Sequence, residues 1–157
     1  MRAAEVVRRL RARGETVAAA ESLTAGLVTA EITRIAGSSV VLRGGLVVYA
    51  TDLKTSLAGV DAALLAEHGA VHPEVARQLA DGARARCGAT WGLGLTGVAG
   101  PDPQDGVAAG VVHLGLSGPS GSVVRSITVG GGRDEVRRAS VDAVLDLLLD
   151  HLKIPGG

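Results

Sequence analysis

The chain has 157 residues, with sixteen Lys or Arg balanced by sixteen Asp or Glu. That length can bury a core without metal or disulfide support, and the single cysteine, Cys87, leaves no internal disulfide. Zero net charge with no sustained basic run argues against a nucleic-acid groove or an anionic membrane surface.

Residues 3–13 are predicted as a helix, with Ala3, Val6, Val7 and Leu10 on one face and Gly14 ending it. Charges at residues 1–5 stand where a signal peptide needs an apolar core. No apolar run approaches membrane-spanning length, so a cytoplasmic protein is expected. The apolar run 16–20 reads as a buried strand. It leads into Ala20-Glu21-Ser22-Leu23-Thr24-Ala25-Gly26, after which Leu27, Val28, Ile32 and Ile35 recur at helical spacing. A second strand is predicted over 45–50, apolar throughout, as a strand covered on both faces should be. Thr51 is placed as the cap of a short helix through Leu57, and Asp61 as the cap of another through His68. Pro73 suits the first position of a helix that Gly88 ends, with Val75, Leu79 and Ala83 facing inward. A strand at 90–95 precedes the loop Thr96-Gly97-Val98-Ala99-Gly100-Pro101. Strands at 110–116 and 122–129 flank a turn at 117–121, and 133–152 forms a long last helix. The abundance of Ala, Gly and Arg can reflect coding bias, so the glycine count by itself carries little.

This order predicts one domain over 1–157, a three-layer α/β/α sandwich. Its mixed, mostly parallel sheet of about five strands gains one antiparallel member from the late hairpin. In open α/β sheets, sites lie beyond the carboxyl ends of the parallel strands. The loops 20–26, 49–54 and 96–101 leave those ends.

These loops carry Ser22, Tyr49 and Lys54. A serine needs a base to take its proton, and His68, His72, His113 and His151 are scattered, with no metal-ligand spacing and none in these loops. The available base is a lysine with its pKa lowered by desolvation, a Ser–Lys variant of the serine triad. Tyr49 would relay the proton or orient the lysine. Free N–H groups after Ser22, near Thr24 and Gly26, or in the loop from Gly97 to Gly100, would bind an oxyanion or substrate. Taken singly, each residue has a plainer reading. The turn alone favours Ser22 as a helix cap, Tyr49 as a core aromatic and Lys54 as a solvated charge. Thr51 and Lys54 form a rival Thr-x-x-Lys pair.

The joint pattern of Glu21-Ser22-Leu23-Thr24-Ala25-Gly26, Tyr49-Ala50-Thr51-Asp52-Leu53-Lys54 and Thr96-Gly97-Val98-Ala99-Gly100-Pro101 resembles the CinA C-terminal domain family, the nicotinamide mononucleotide (NMN) deamidases. Gly37-Ser38-Ser39, His68-Gly69-Ala70-Val71 and Gly132-Arg133-Asp134-Glu135 add to the resemblance, which runs from about Val6 to Leu152 in what looks like the stand-alone form. It implies the α/β/α sandwich and hydrolysis of the NMN carboxamide to nicotinate mononucleotide and ammonia. Ser22 falls at the family's nucleophile, Lys54 at its base, Tyr49 at its tyrosine and Thr96 at its loop threonine. Arg133 and Arg137 are the candidates for the phosphate. Neither cofactor nor metal is implied; the expected partners are a small nucleotide substrate and further copies of the chain, with no nucleic acid or membrane. The chain departs from the family pattern at Ala25, where glycine is usual, at Ala50, and across 103–111. Two other functions stay open: a non-catalytic nucleotide-binding module, and an amidase for another small carboxamide.

Overall fold

The computed structural model describes residues 1–153. The chain runs α1 (Arg2–Arg13), β1 (Val17–Glu21), α2 (Leu27–Thr33), a 3-10 turn (Ser38–Val40) and β2 (Leu42–Val47). It continues with α3 (Thr51–Ala58), α4 (Ala62–His68), α5 (Pro73–Cys87), β3 (Trp91–Gly97), β4 (Val111–Gly118), β5 (Gly121–Thr128) and α6 (Arg133–His151). The five strands form one sheet in the order β2-β1-β3-β4-β5. β1 pairs in parallel with β2 and β3, whereas β4 is antiparallel to both of its neighbours. The sheet is therefore mixed with one reversed strand, and helices cover it on both sides.

Local signals account for most of the element ends. Gly14, Gly59 and Gly88 close α1, α3 and α5 in the left-handed conformation that glycine adopts without steric cost. The Asp61 carboxylate accepts from Ala63 N at 2.9 Å, and Pro73 opens α5, where its missing N–H costs nothing.

The two sides of the sheet are built differently. On one side Leu93, Leu95, Leu114 and Leu116 pack against α1, α2 and α6 through Leu10, Ile32, Val144 and Leu148. On the other, α5 lies almost in contact with the strand backbones. A Cβ at Gly94 would stand 2.3 Å from the Ala76 carbonyl oxygen, and one at Gly115 would stand 2.1 Å from it. At these two positions glycine is a packing requirement and not a compositional accident.

Three expectations need correction. β2 covers 42–47, not 45–50, and its exposure alternates, because it is an edge strand with β1 as its neighbour; Val47 is half exposed. Tyr49 and Ala50 thus fall in the loop after the strand. The α2 helix stops at Thr33, short of Ile35. The β4–β5 turn is tighter than expected, since the strands pair as far as Gly118 and Gly121, leaving Pro119 and Ser120 between them.

Candidate active site

β1, β2 and β3 end side by side, so the loops that follow them meet at one edge of the sheet. Ser22 N donates to Leu95 O at 3.1 Å, which fixes the first residue of the β1–α2 loop against β3. Beyond it, Ala25 N returns to Ser22 O at 3.1 Å in a tight turn, and α2 begins at Leu27 with Gly26 as its cap residue. Ser22 is therefore not the cap of α2. The Glu21 carboxylate, 1% exposed, takes that duty, accepting from Val28 N (2.9 Å) and Thr29 N (3.2 Å). It also accepts from the hydroxyls of Thr24 (2.7 Å) and Thr29 (3.2 Å).

The second loop delivers Lys54. It stands in the first turn of α3, whose cap position is Ala50 with no side-chain hydrogen bond, so Thr51 is the first helical residue and not the cap. Thr51 is exposed, but Lys54 points inward and is 1% exposed. Its Nζ lies 3.0 Å from Ser22 Oγ and donates to the carbonyl oxygens of Val48 (2.8 Å) and Tyr49 (3.2 Å). A neutral lysine has two N–H groups and one lone pair. With the two carbonyls taking the protons, the lone pair is left for the serine hydroxyl, the arrangement a general base needs. Burial lowers the Lys54 pKa from the ordinary lysine range to about 8, and the Asp105 carboxylate opposes part of that shift.

Tyr49 reaches Lys54 through its main chain. Its ring is 60% exposed, and its phenol oxygen accepts from Arg133 Nη2 at 3.3 Å. The proton-relay role expected of the phenol has no hydrogen bond to Lys54 behind it.

A cavity of about 380 Å³ opens in front of Ser22, with Tyr49, Thr96, Gly97, Gly100 and Arg133 in its walls beside Leu23, Ala70, Val71 and residues 98–104. Thr96 is buried, and its hydroxyl donates to Ala70 O at 2.7 Å, tying the segment before α5 to the wall. Arg133 Nη1 donates to Gly100 O at 2.6 Å, so this guanidinium braces the third loop while facing the cavity. Three expected binding residues stand behind the wall instead. The Thr24 hydroxyl is spent on Glu21, and Gly26, at φ +100°, shapes the entry to α2. Arg137 donates through Nε to Leu23 O (2.9 Å) and through Nη2 to Thr24 O (3.5 Å), clamping the serine loop from α6. Ala25 is exposed and outside the cavity lining, so it does not narrow it, although it holds a positive φ of 45° that suits the glycine usual there.

Sequence reasoning missed two groups. The Glu21 carboxylate stood in the motif without a role. The stretch 101–109 folds as a minimal hairpin: Gln104 and Val107 exchange hydrogen bonds of 3.0 and 2.8 Å around Asp105 and Gly106, both at positive φ. The dipeptide Asp105-Gly106 is a familiar signal for such a turn and would have found it. Asp105 Oδ2 then accepts from Ala70 N at 3.3 Å. Among the described residues no cluster of His, Cys, Asp or Glu is arranged to hold a metal ion, and no helix is long and apolar enough to cross a membrane.

Comparison with known proteins agrees with this frame. A model of the CinA C-terminal domain matches residues 1–152. The chain belongs to the CinA C-terminal domain family. A CinA-like protein of Anaeromyxobacter dehalogenans is 51% identical over 91% of this chain, and one of Frankia casuarinae is 48% identical over 87%. The matched part is 35% and 31% of those relatives, so this CinA-family chain spans about a third of their length. The crystal structure of a competence/damage-inducible protein from Agrobacterium tumefaciens superposes with a TM-score of 0.89 at 34% identity, covering 98% of this chain and 97% of that one. That of competence damage-inducible protein A from Klebsiella pneumoniae gives 0.93 at 29% identity, covering 96% and 94%.

Proposed function

We propose that this CinA-family domain is an amidohydrolase that removes ammonia from the carboxamide of NMN, with Ser22 as nucleophile and Lys54 as general base. The observation that carries this reading is the buried Lys54 Nζ, 3.0 Å from Ser22 Oγ, with its remaining donors directed to two carbonyl oxygens. No histidine lines the cavity to compete for the role.

In the proposed reaction Lys54 accepts the Ser22 proton as Oγ bonds to the carboxamide carbon. The tetrahedral oxyanion then collapses; the carbon–nitrogen bond breaks, and the Lys54 proton leaves with the nitrogen as ammonia. Water next adds to the Ser22 ester, gives a proton to Lys54, and displaces Oγ, which recovers that proton as nicotinate mononucleotide departs. The main-chain amide of Leu23, a residue of the cavity wall, is the donor this reading assigns to the oxyanion.

The charges at the cavity suit the same substrate. Of the lining side chains, Asp102 and Arg133 carry formal charge, one of each sign. A pyridinium nucleotide monophosphate likewise carries a cation and an anion. The phosphate falls to Arg133, and the exposed Tyr49 ring offers its face to the pyridinium ring. Arg137 has no place in this binding scheme because it serves the serine loop.

The test is ammonia release from NMN, with Ser22→Ala as control. Turnover by the wild type and none by a folded Ser22→Ala protein is the expected result. Undiminished turnover by Ser22→Ala would overturn the assignment. Release from other small carboxamides but not from NMN would correct the substrate, and no release from any would leave a non-catalytic nucleotide-binding module.

A further inference from the structure

We propose that Glu21 is the positioning residue of the Ser22–Lys54 pair, holding both partners at once: its side chain fixes the serine loop, and its main chain fixes the strand end that anchors the lysine. The inference rests on Ser22 and Lys54 acting together as proposed above, and adds a group that does not itself touch the substrate.

The first half lies in the carboxylate. Glu21 is the last residue of β1, and its backbone is fixed between Val47 of β2 and Leu95 of β3. Its side chain bypasses the loop and bonds the far end, at Val28 N and Thr29 N, while Thr24 Oγ1 bonds it from within the loop. Ser22, Leu23, Thr24, Ala25 and Gly26 are thus enclosed between the main chain and the side chain of one residue. The anchorage matters because a serine at a strand-to-helix turn has a competing use. The first N–H groups of a helix lack internal partners, and a nearby hydroxyl readily accepts from them. Here two charge-assisted bonds from Glu21 satisfy these donors and complement the positive end of the helix. Ser22 Oγ is left with Lys54 as its hydrogen-bonded neighbour.

The second half lies in the main chain. Glu21 O accepts from Val48 N at 2.9 Å, and Val48 O in turn accepts from Lys54 Nζ at 2.8 Å. Any shift of Glu21 therefore moves the serine loop and the lysine anchor together. At nearly full burial a carboxylate with four donors is well satisfied; an amide at the same place is not. In Glu21→Gln one side-chain oxygen becomes an NH2 group, which meets the N–H of Val28 or Thr29 donor to donor.

The test compares wild type, Glu21→Gln and a destabilised control, Leu10→Ala, which opens a hole in the core beneath α1 away from the site. Two readouts are taken: crystal structures of wild type and Glu21→Gln, and the rate at which a fluorophosphonate labels Ser22, followed by intact mass. In Glu21→Gln the Lys54 Nζ to Ser22 Oγ separation is expected to open beyond about 3.5 Å, out of hydrogen-bond range. Labelling is expected to slow about tenfold or more, while Leu10→Ala labels at the wild-type rate despite its lower melting temperature. A Glu21→Gln structure with the pair still at its original separation would overturn the proposal, as would labelling at the wild-type rate. If wild type itself is inert to the probe, the nucleophile assignment fails, and the crystallographic comparison still decides the role of Glu21.

Discussion

The two loops that face each other across the cavity are built on opposite plans. The β1–α2 loop is nearly sealed, with Glu21, Ser22, Leu23 and Thr24 all buried and its main chain held by Arg137 from outside and Glu21 from within. The stretch 101–106 between β3 and β4 is exposed throughout and tied down by Arg133 at Gly100 and by Asp105 at Ala70. The proposed nucleophile must be held to within a fraction of an ångström, and an over-determined loop meets that demand. The exposed wall carries the longest departure from the family pattern, 103–111, while Ala25 is a single departure on the sealed side.

The largest expected effect comes from breaking the sealed side. Lys54→Met should lower amidase turnover about a thousandfold while leaving the protein folded. The same variant isolates the lysine's effect on stability. The folded-state pKa is about 8 against an ordinary lysine value of 10.5, so the unfolded chain holds more protons between those values. Wild-type stability should therefore rise with pH across that window, by about 2–3 kcal/mol relative to Lys54→Met, in denaturant titrations at pH 8 and pH 10. Wild-type kcat/KM should likewise rise through pH 8 as the amine becomes neutral; a flat profile there would count against Lys54 as the base.

On the open side, Arg133→Met should raise KM for NMN about tenfold with a smaller change in kcat, as loss of ground-state binding predicts. Its neighbour on α6 should behave otherwise. Arg137→Met leaves the Leu23 and Thr24 carbonyls short of a donor, so urea unfolding should show a loss of about 1–2 kcal/mol, with kcat reduced more than KM is changed. Equal behaviour of the two arginines would erase the distinction between the loops.

Smaller effects sharpen it further. Asp105→Asn removes the carboxylate that holds the Lys54 pKa up, so the acidic limb of the pH–rate profile should move to lower pH. The rate at pH 7 should rise about two- to threefold. Ala25→Gly should stabilise the serine loop by up to about 1 kcal/mol, because alanine is strained at its positive φ; differential scanning calorimetry would register the gain.

Legibility from sequence followed the range of the interactions involved. Among the described residues, periodicity and end signals located each α-helix and strand to within a few residues, including Asp61 as a cap and Pro73 as an opener, but not the 3-10 turn at Ser38–Val40. They misplaced β2, because apolar residues at 46–48 read as strand interior, whereas pairing with β1 sets the register and ends the strand at Val47. The motifs brought Ser22, Lys54, Thr96 and Arg133 into one neighbourhood. They did not supply the hydrogen-bond partners of Tyr49 and Arg137, which come from distant sequence. The Tyr49 phenol went to Arg133, 84 residues away, and Arg137 went to a loop 113 residues away.

By itself the sequence determined the alternation of strands and helices, the three loops at one sheet edge, and the membership of the CinA family that those loops carry. These are properties of local pattern, readable from hydrophobic period, turn residues and caps. What the tertiary structure decided is which polar groups lose water. Lys54 has the local context of a surface lysine, yet the loops after β1 and β2 close over it, and desolvation makes it a candidate base. Glu21 and Ser22 are adjacent and both able to cap a helix. Their roles separate once packing turns the carboxylate toward α2 and the hydroxyl toward Lys54. Burial and hydrogen-bond partners are set by everything that packs around a group, so they exist only in the folded chain.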